Sequence, residues 1–120
     1  MTFDMSSSLL LIAVGGATGS VLRYLLSQAI PVPLGTLFVN VAGSFAIGIA
    51  FVILAGRGPW ALFFVSGVLG GFTTFSAFSL DTIRLLADGR VGFALFYVLL
   101  SIVLSVLGCF LGISIARSLP

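Results

Sequence analysis

Four apolar stretches dominate the chain, each close to the roughly 20 residues that a helix needs to cross about 30 Å of hydrocarbon, and the segments between them hold proline, glycine and charge. The first stretch covers about 9–30 and contains Arg23; it ends at Pro31-Val32-Pro33, where proline cannot continue a helix. The second, about 34–55, is uncharged and stops at Gly56-Arg57-Gly58-Pro59. The third, about 60–86, includes Gly70-Gly71 and Asp81, and Asp88-Gly89-Arg90 follows it as a turn. The fourth, about 91–116, is uncharged up to Arg117. The pattern predicts an all-α membrane protein: a single four-helix transmembrane domain over residues 1–120 in the lipid bilayer, with no soluble domain, linker or internal repeat. Met1 to Ser8 carry Asp4 and no positive charge, which argues against a cleaved signal peptide.

Composition narrows the chemistry. The chain is 60% hydrophobic and 7% charged, its cations are Arg23, Arg57, Arg84, Arg90 and Arg117, its acids are Asp4, Asp81 and Asp88, and it lacks Lys, Glu and His. Without histidine there is no Ser-His-Asp triad and no His-ligated metal site, and without lysine no Schiff base or P-loop. Cys109 is the sole cysteine and cannot form an intrachain disulfide. An enzyme is not expected. The net charge of +2 is scattered rather than clustered, so nucleic acid is not implied either.

Four spans put both termini on one side, with Arg57 and Arg117 there and Arg23, Arg84 and Arg90 toward the other. Two against three is a weak bias under the positive-inside rule, and it becomes a tie if Arg23 lies too deep to count. Such balance would permit insertion in both orientations and an antiparallel homodimer. Membrane helices associate through small residues, and the pairs Gly15/Gly19 and Gly108/Gly112 predict close helix packing rather than direct chemistry.

Polar side chains in hydrocarbon are costly unless paired or facing a wet cavity. Thr36, Asn40 and Ser44 recur every four residues on the second helix, and Tyr97, Ser101, Ser105 and Cys109 do so on the fourth, giving each helix a polar stripe. Back-bonding of hydroxyls to their own helix explains any one of them. It does not account for Asn40, whose amide carries two donors and an acceptor. In the third span, Gly70-Gly71-Phe72-Thr73-Thr74-Phe75-Ser76-Ala77-Phe78-Ser79 predicts a helix broken near its middle. The freed carbonyls there need partners, and unwound carbonyls are suitable ligands for sodium. Phe75 and Phe78, three apart, share one side of any resumed helix, where positive ring edges could stabilise an anion.

This segment, together with Gly35-Thr36-Leu37-Phe38-Val39-Asn40, a glycine-rich start and Arg23 on the first helix, resembles the Fluc (CrcB) family of small fluoride channels along essentially the whole chain. The resemblance implies a dual-topology antiparallel homodimer with two pores that passively exports cytoplasmic fluoride and relieves its toxicity. It implies a bacterial or archaeal cell (inner) membrane. Phe75 and Phe78 would flank the fluoride pathway, Asn40 would donate to the ion, and Ser76, Ser79, Ser101 and Ser105, with Tyr97 and Thr36, would supply a polar track. A structural sodium ion on the dimer axis would be held by the Gly70 and Thr73 carbonyls, and Arg23 would support the fold or a positive vestibule. Ala77, Asp81 and Cys109 stand where the family commonly has Ser or Thr, Glu, and Thr.

A second reading is a small proton-coupled multidrug exporter using the membrane acid Asp81. The simpler expectation for Asp81 is an interfacial residue paired with Arg84, three positions later. A purely structural membrane subunit would explain the glycines but neither polar stripe.

Overall fold

The computed structural model describes residues 4–120. Helix α1 (Met5–Ala29) is capped by Asp4, whose carboxylate accepts from the Ser7 N–H at 3.0 Å. Helix α2 (Leu34–Ile53) follows a turn that holds a cis Val32-Pro33 bond. The third span, Gly58–Ala87, comes in two pieces. We call residues 58–72 α3 and Phe75–Ala87 α4. Helix α5 (Val91–Ser118) closes the chain. Gly56 and Gly89, both at φ 76°, supply the left-handed residue in the turns after α2 and α4.

Four spans are long and apolar enough to cross a membrane, each ending within a few residues of the punctuation in the sequence. Their side chains turn outward. Leu10, Leu25, Leu99 and Val106 are all well exposed, as lipid-facing residues of a bundle must be. The interior is thin: Val39, Leu85, Ala94, Tyr97 and Ala116 are its buried apolar side chains.

Backbone contact replaces a thick core. Helix α1 lies on α3, and α2 lies on α5. A methyl group added at Gly19 would collide with the Val68 carbonyl and approach the Phe72 nitrogen to 2.9 Å; one at Gly15 would come within 2.5 Å of the Phe63 carbonyl oxygen. The facing surface of α3 has its own pair four apart, since Gly67 abuts Gly15 and Gly71 abuts Gly16. On the other side Gly112 meets the Phe45 carbonyl and Gly48 the Cys109 carbonyl, so the expected packing role of the glycine pairs holds for both helices.

The third span is broken near its middle, as expected, and carries one feature that was not. Leu62–Leu69 is wound as a π-helix, a widening that no residue pattern announced. The break falls at Thr73 and Thr74, with extended backbone at φ −83°, ψ 155° and φ −151°, ψ 115°, whereas Gly70 and Gly71 are still helical. Gly71 therefore serves close contact with α1 rather than chain reversal.

Packing this close predicts a steep cost for one methyl group. Gly19→Ala should lower the melting temperature in detergent by the equivalent of about 1–3 kcal/mol of overpacking, while Gly92→Ala, with open space around its α-carbon, should leave it unchanged or raise it. Equal melting temperatures for wild type and Gly19→Ala would contradict this packing.

Candidate functional site

The break exists because two side chains hold it open. In a continuous helix the Thr74 N–H would close onto the Gly70 carbonyl. Instead it donates to Asn40 Oδ1 at 2.8 Å, and Asn40 Nδ2 returns a bond to the Thr74 carbonyl at 3.0 Å. The Ala77 N–H, which would have closed onto Thr73, goes to Thr74 Oγ1 at 3.2 Å and caps α4. Arg23 Nε donates to the freed Gly71 carbonyl at 3.0 Å. Gly43, one turn along from Asn40, makes room for the break, because a methyl there would strike the Thr73 methyl.

Donors are thus diverted from Gly70 and Thr73, the two carbonyls expected to face a cation. Oxygen-only donors suit a hard cation such as sodium, and these two carbonyls fit that chemistry. The Thr73 hydroxyl is occupied, donating to Leu69 at 3.0 Å.

Beside the break runs a groove of about 370 Å3. Asn40, Ser44, Ser101 and Ser105 contribute its polar atoms; Thr73, Thr74, Phe75 and Phe78 form the wall on the side of the third span. A larger cleft of about 740 Å3 near Arg117 is lined almost wholly by apolar side chains. Chemistry, not size, selects the smaller one. The Phe75 and Phe78 rings lie 5.5 Å apart at 46°, and Phe78 continues to Tyr97 at 5.4 Å, so three rings form a ladder. Phe75 stands 78% exposed at the groove's open side. Ser101 is buried, yet its hydroxyl has no hydrogen-bond partner among the described residues. Such a group in an apolar interior needs a ligand or water.

Both predicted stripes contribute to the groove, through Asn40 and Ser44 on one helix and Ser101 and Ser105 on the other. Four-residue steps drift by about 40° each on a helix of 3.6 residues per turn, and Cys109 falls outside it. Thr36 and Tyr97 converge one turn further along on Asp81, whose Oδ2 accepts from Thr36 at 2.7 Å with the Tyr97 hydroxyl at 3.5 Å. Ser76 and Ser79 also lie outside the groove: the Ser76 hydroxyl sits 3.3 Å from that of Thr74, and Ser79 donates to the Phe75 carbonyl at 3.0 Å. Asp81 is buried in the protein. It is 5% exposed and ties α2, α4 and α5 together, while Arg84, mostly solvated, stays 4.0 Å away. The expected Arg84 pair is therefore the loosest of the polar contacts of Asp81. Arg23 is likewise spent inside the protein, on a backbone carbonyl.

Two features were not anticipated. The role of Asn40 as a clamp on Thr74 needed a long-range pairing, for which the only signal was an amide in mid-membrane. The pair Gly67/Gly71 was legible as another small-residue repeat four apart.

Residues 10–113 match the family described as CrcB-like protein, Camphor Resistance (CrcB). A protein of Cereibacter sphaeroides named "Fluoride-specific ion channel FluC" is 47% identical over 94% of this chain and 97% of its own length. Proteins of the same name from Agrobacterium fabrum and Paracoccus denitrificans are each 47% identical, over 91% and 96% of this chain and 95% and 98% of their own lengths. Apolar spans, a clamped helix break and a match across nearly the whole sequence lead to one conclusion: the chain belongs to the CrcB family of multi-pass membrane proteins.

Proposed function

We propose that the protein is a fluoride-selective channel that lets cytoplasmic fluoride leave the cell passively, and that it is not an enzyme. The observation that carries this reading is the groove at the break, where an amide, hydroxyls and aromatic edges line one surface without a titratable side chain. Curated relatives named as fluoride-specific ion channels support the choice of ion.

Fluoride is small and strongly hydrated, so its passage requires oriented donors in place of water. One Nδ2 proton of Asn40 remains after the bond to Thr74, the Ser101 and Ser105 hydroxyls line the same groove, and Phe75 and Phe78 can present positive ring edges. Each donor is weak alone. In series they bind an anion and release it. An arginine in the narrow part would hold it too tightly, and Arg23 is engaged with Gly71. No motif for ATP or for a coupled ion is needed: fluoride entering acidified cells as HF dissociates inside and leaves down its gradient.

The reading includes an antiparallel homodimer in the cell inner membrane. One chain alone would leave half-buried Asn40 and Ser105 beside lipid in an open groove, and a second copy closing it removes that cost. With half-buried Arg23 bonded to the Gly71 carbonyl and left out of the count, Arg57 and Arg117 balance Arg84 and Arg90, which suits insertion in both orientations. Sodium would be held by the Gly70 and Thr73 carbonyls of both copies. When bound, it supplies fixed positive charge that cross-ties the two breaks. The buried, hydrogen-bonded setting of Asp81 favours a structural junction over a proton-coupled drug exporter.

Liposomes that contain only the purified protein should release fluoride and retain chloride, and Phe75→Ile or Phe78→Ile should reduce the release to the protein-free rate. Proton-driven drug uptake with no fluoride release would instead favour the exporter. Replacing sodium by a large organic cation, with prolonged dialysis to strip bound ion, should abolish fluoride release; undiminished release in protein verified to be sodium-free would overturn the sodium assignment.

A further inference from the structure

We propose that the apolar cleft near Arg117 holds an acyl chain of an anionic phospholipid, with the lipid phosphate on the Arg117 guanidinium. The cleft, about 740 Å3, opens between the α1–α3 and α2–α5 pairs, at the end where α2 and α5 finish and α3 begins. Ile47 and Phe51 of α2 line it with Leu62 and Val65 of α3, and Arg117 and Ser66 are its only polar side chains. Such a lining suits a long apolar ligand that carries one charged group. The groove at the helix break shares only Ile47 with this cleft, so a chain held here would flank that groove without entering it.

Charge selects the occupant. Arg117 lies in the last turn of α5 and Arg57 stands between the lining residues Gly56 and Gly58, so two arginines share this membrane face. Neither has a carboxylate partner among the described residues. Asp4, the one acid on the same face, already accepts from Ser7 of its own helix. Trp60, exposed in the first turn of α3, marks the headgroup level at this end. Arginine at that level reaches lipid phosphates and bonds them with charge assistance. A second, antiparallel copy would bring Arg84, Arg90 and Asp88 to this face, more positive charge than negative, and so would deepen the deficit that a phosphate fills.

Native mass spectrometry of the purified protein, in micelles that contain equal amounts of phosphatidylglycerol and phosphatidylcholine, should show phosphatidylglycerol retained in preference. Arg117→Gln should cut that preference about fivefold, the weight of one arginine beside an anionic headgroup. Arg90→Gln, at the opposite membrane face, should keep it. Ala55→Phe, which fills the cleft and leaves Arg117 in place, should cut it as far as Arg117→Gln does. Ala61→Leu narrows the same cleft if Ala55→Phe does not elute like the unmodified protein. An undiminished preference in Arg117→Gln, or in a folded cleft-filling variant, overturns the proposal. Displacement of the lipid by millimolar inorganic phosphate also overturns it and assigns Arg117 to a free anion. Equal retention of the two lipids by the unmodified protein overturns it as well, and separation of the copies by Ala55→Phe would then seat a second copy in the cleft. None of these readouts depends on the transported ion, so failure of the channel reading leaves the lipid site standing.

Discussion

A pair of hydrogen bonds between Asn40 and the backbone of Thr74 is the interaction on which the site depends. Each such bond is worth about 0.5–1.5 kcal/mol net in water, and an unpaired peptide group in hydrocarbon costs several times that. The clamp therefore makes an interrupted helix tolerable at membrane depth. It also sorts the polar ends by sign. The C-terminal end of α3 presents carbonyls, those of Gly70 and Thr73 left without their helical donors, and the N-terminal end of α4 presents N–H groups. One interruption thus leaves the Gly70 and Thr73 carbonyls as oxygen ligands suited to a cation, beside a groove lined by Asn40, Ser101 and Ser105.

Close backbone packing is what brings the clamp into register. Gly15 and Gly19 let α1 settle on α3, so that Arg23 reaches the Gly71 carbonyl, and Gly43 leaves space for Thr73 beside Asn40. The Thr36–Asp81–Tyr97 cluster fixes the middle of α4 against α2 and α5. Helix α4 is held at its start and its middle by polar contacts, with the Phe75–Phe78–Tyr97 ladder between them. A site of weak donors needs such a rigid frame, since selectivity by fit is lost if the walls can move.

Much of this was legible in the sequence, because hydrocarbon imposes simple rules. Span lengths, their punctuation and the glycine pairs follow from bilayer thickness and from the need for close approach. A break near the middle of the third span followed from Gly70-Gly71-Phe72-Thr73-Thr74, but not the residues at which it falls: the deciding contact, from Asn40, lies 34 residues away. Asp81 was read only in part for the same reason: its pair with Arg84 is present at 4.0 Å, but its closer partner is distant in sequence. Sequence distance pointed to Arg84, and the fold adds Thr36, 45 residues away, at 2.7 Å. Four-residue spacing grouped the polar stripes correctly at their centres and lost Cys109 at the end through helical drift. The π-helical turn at Leu62–Leu69 left no trace in residue type.

Tying this geometry to function requires that the groove carry fluoride as a free ion and reject chloride. The most direct measurement is the reversal potential of the current through the purified protein in a planar bilayer under opposed fluoride and chloride gradients. A potential that follows the fluoride Nernst value, and stays there when the chloride or proton gradient is changed, is the predicted result. A potential that tracks chloride or protons would contradict the account.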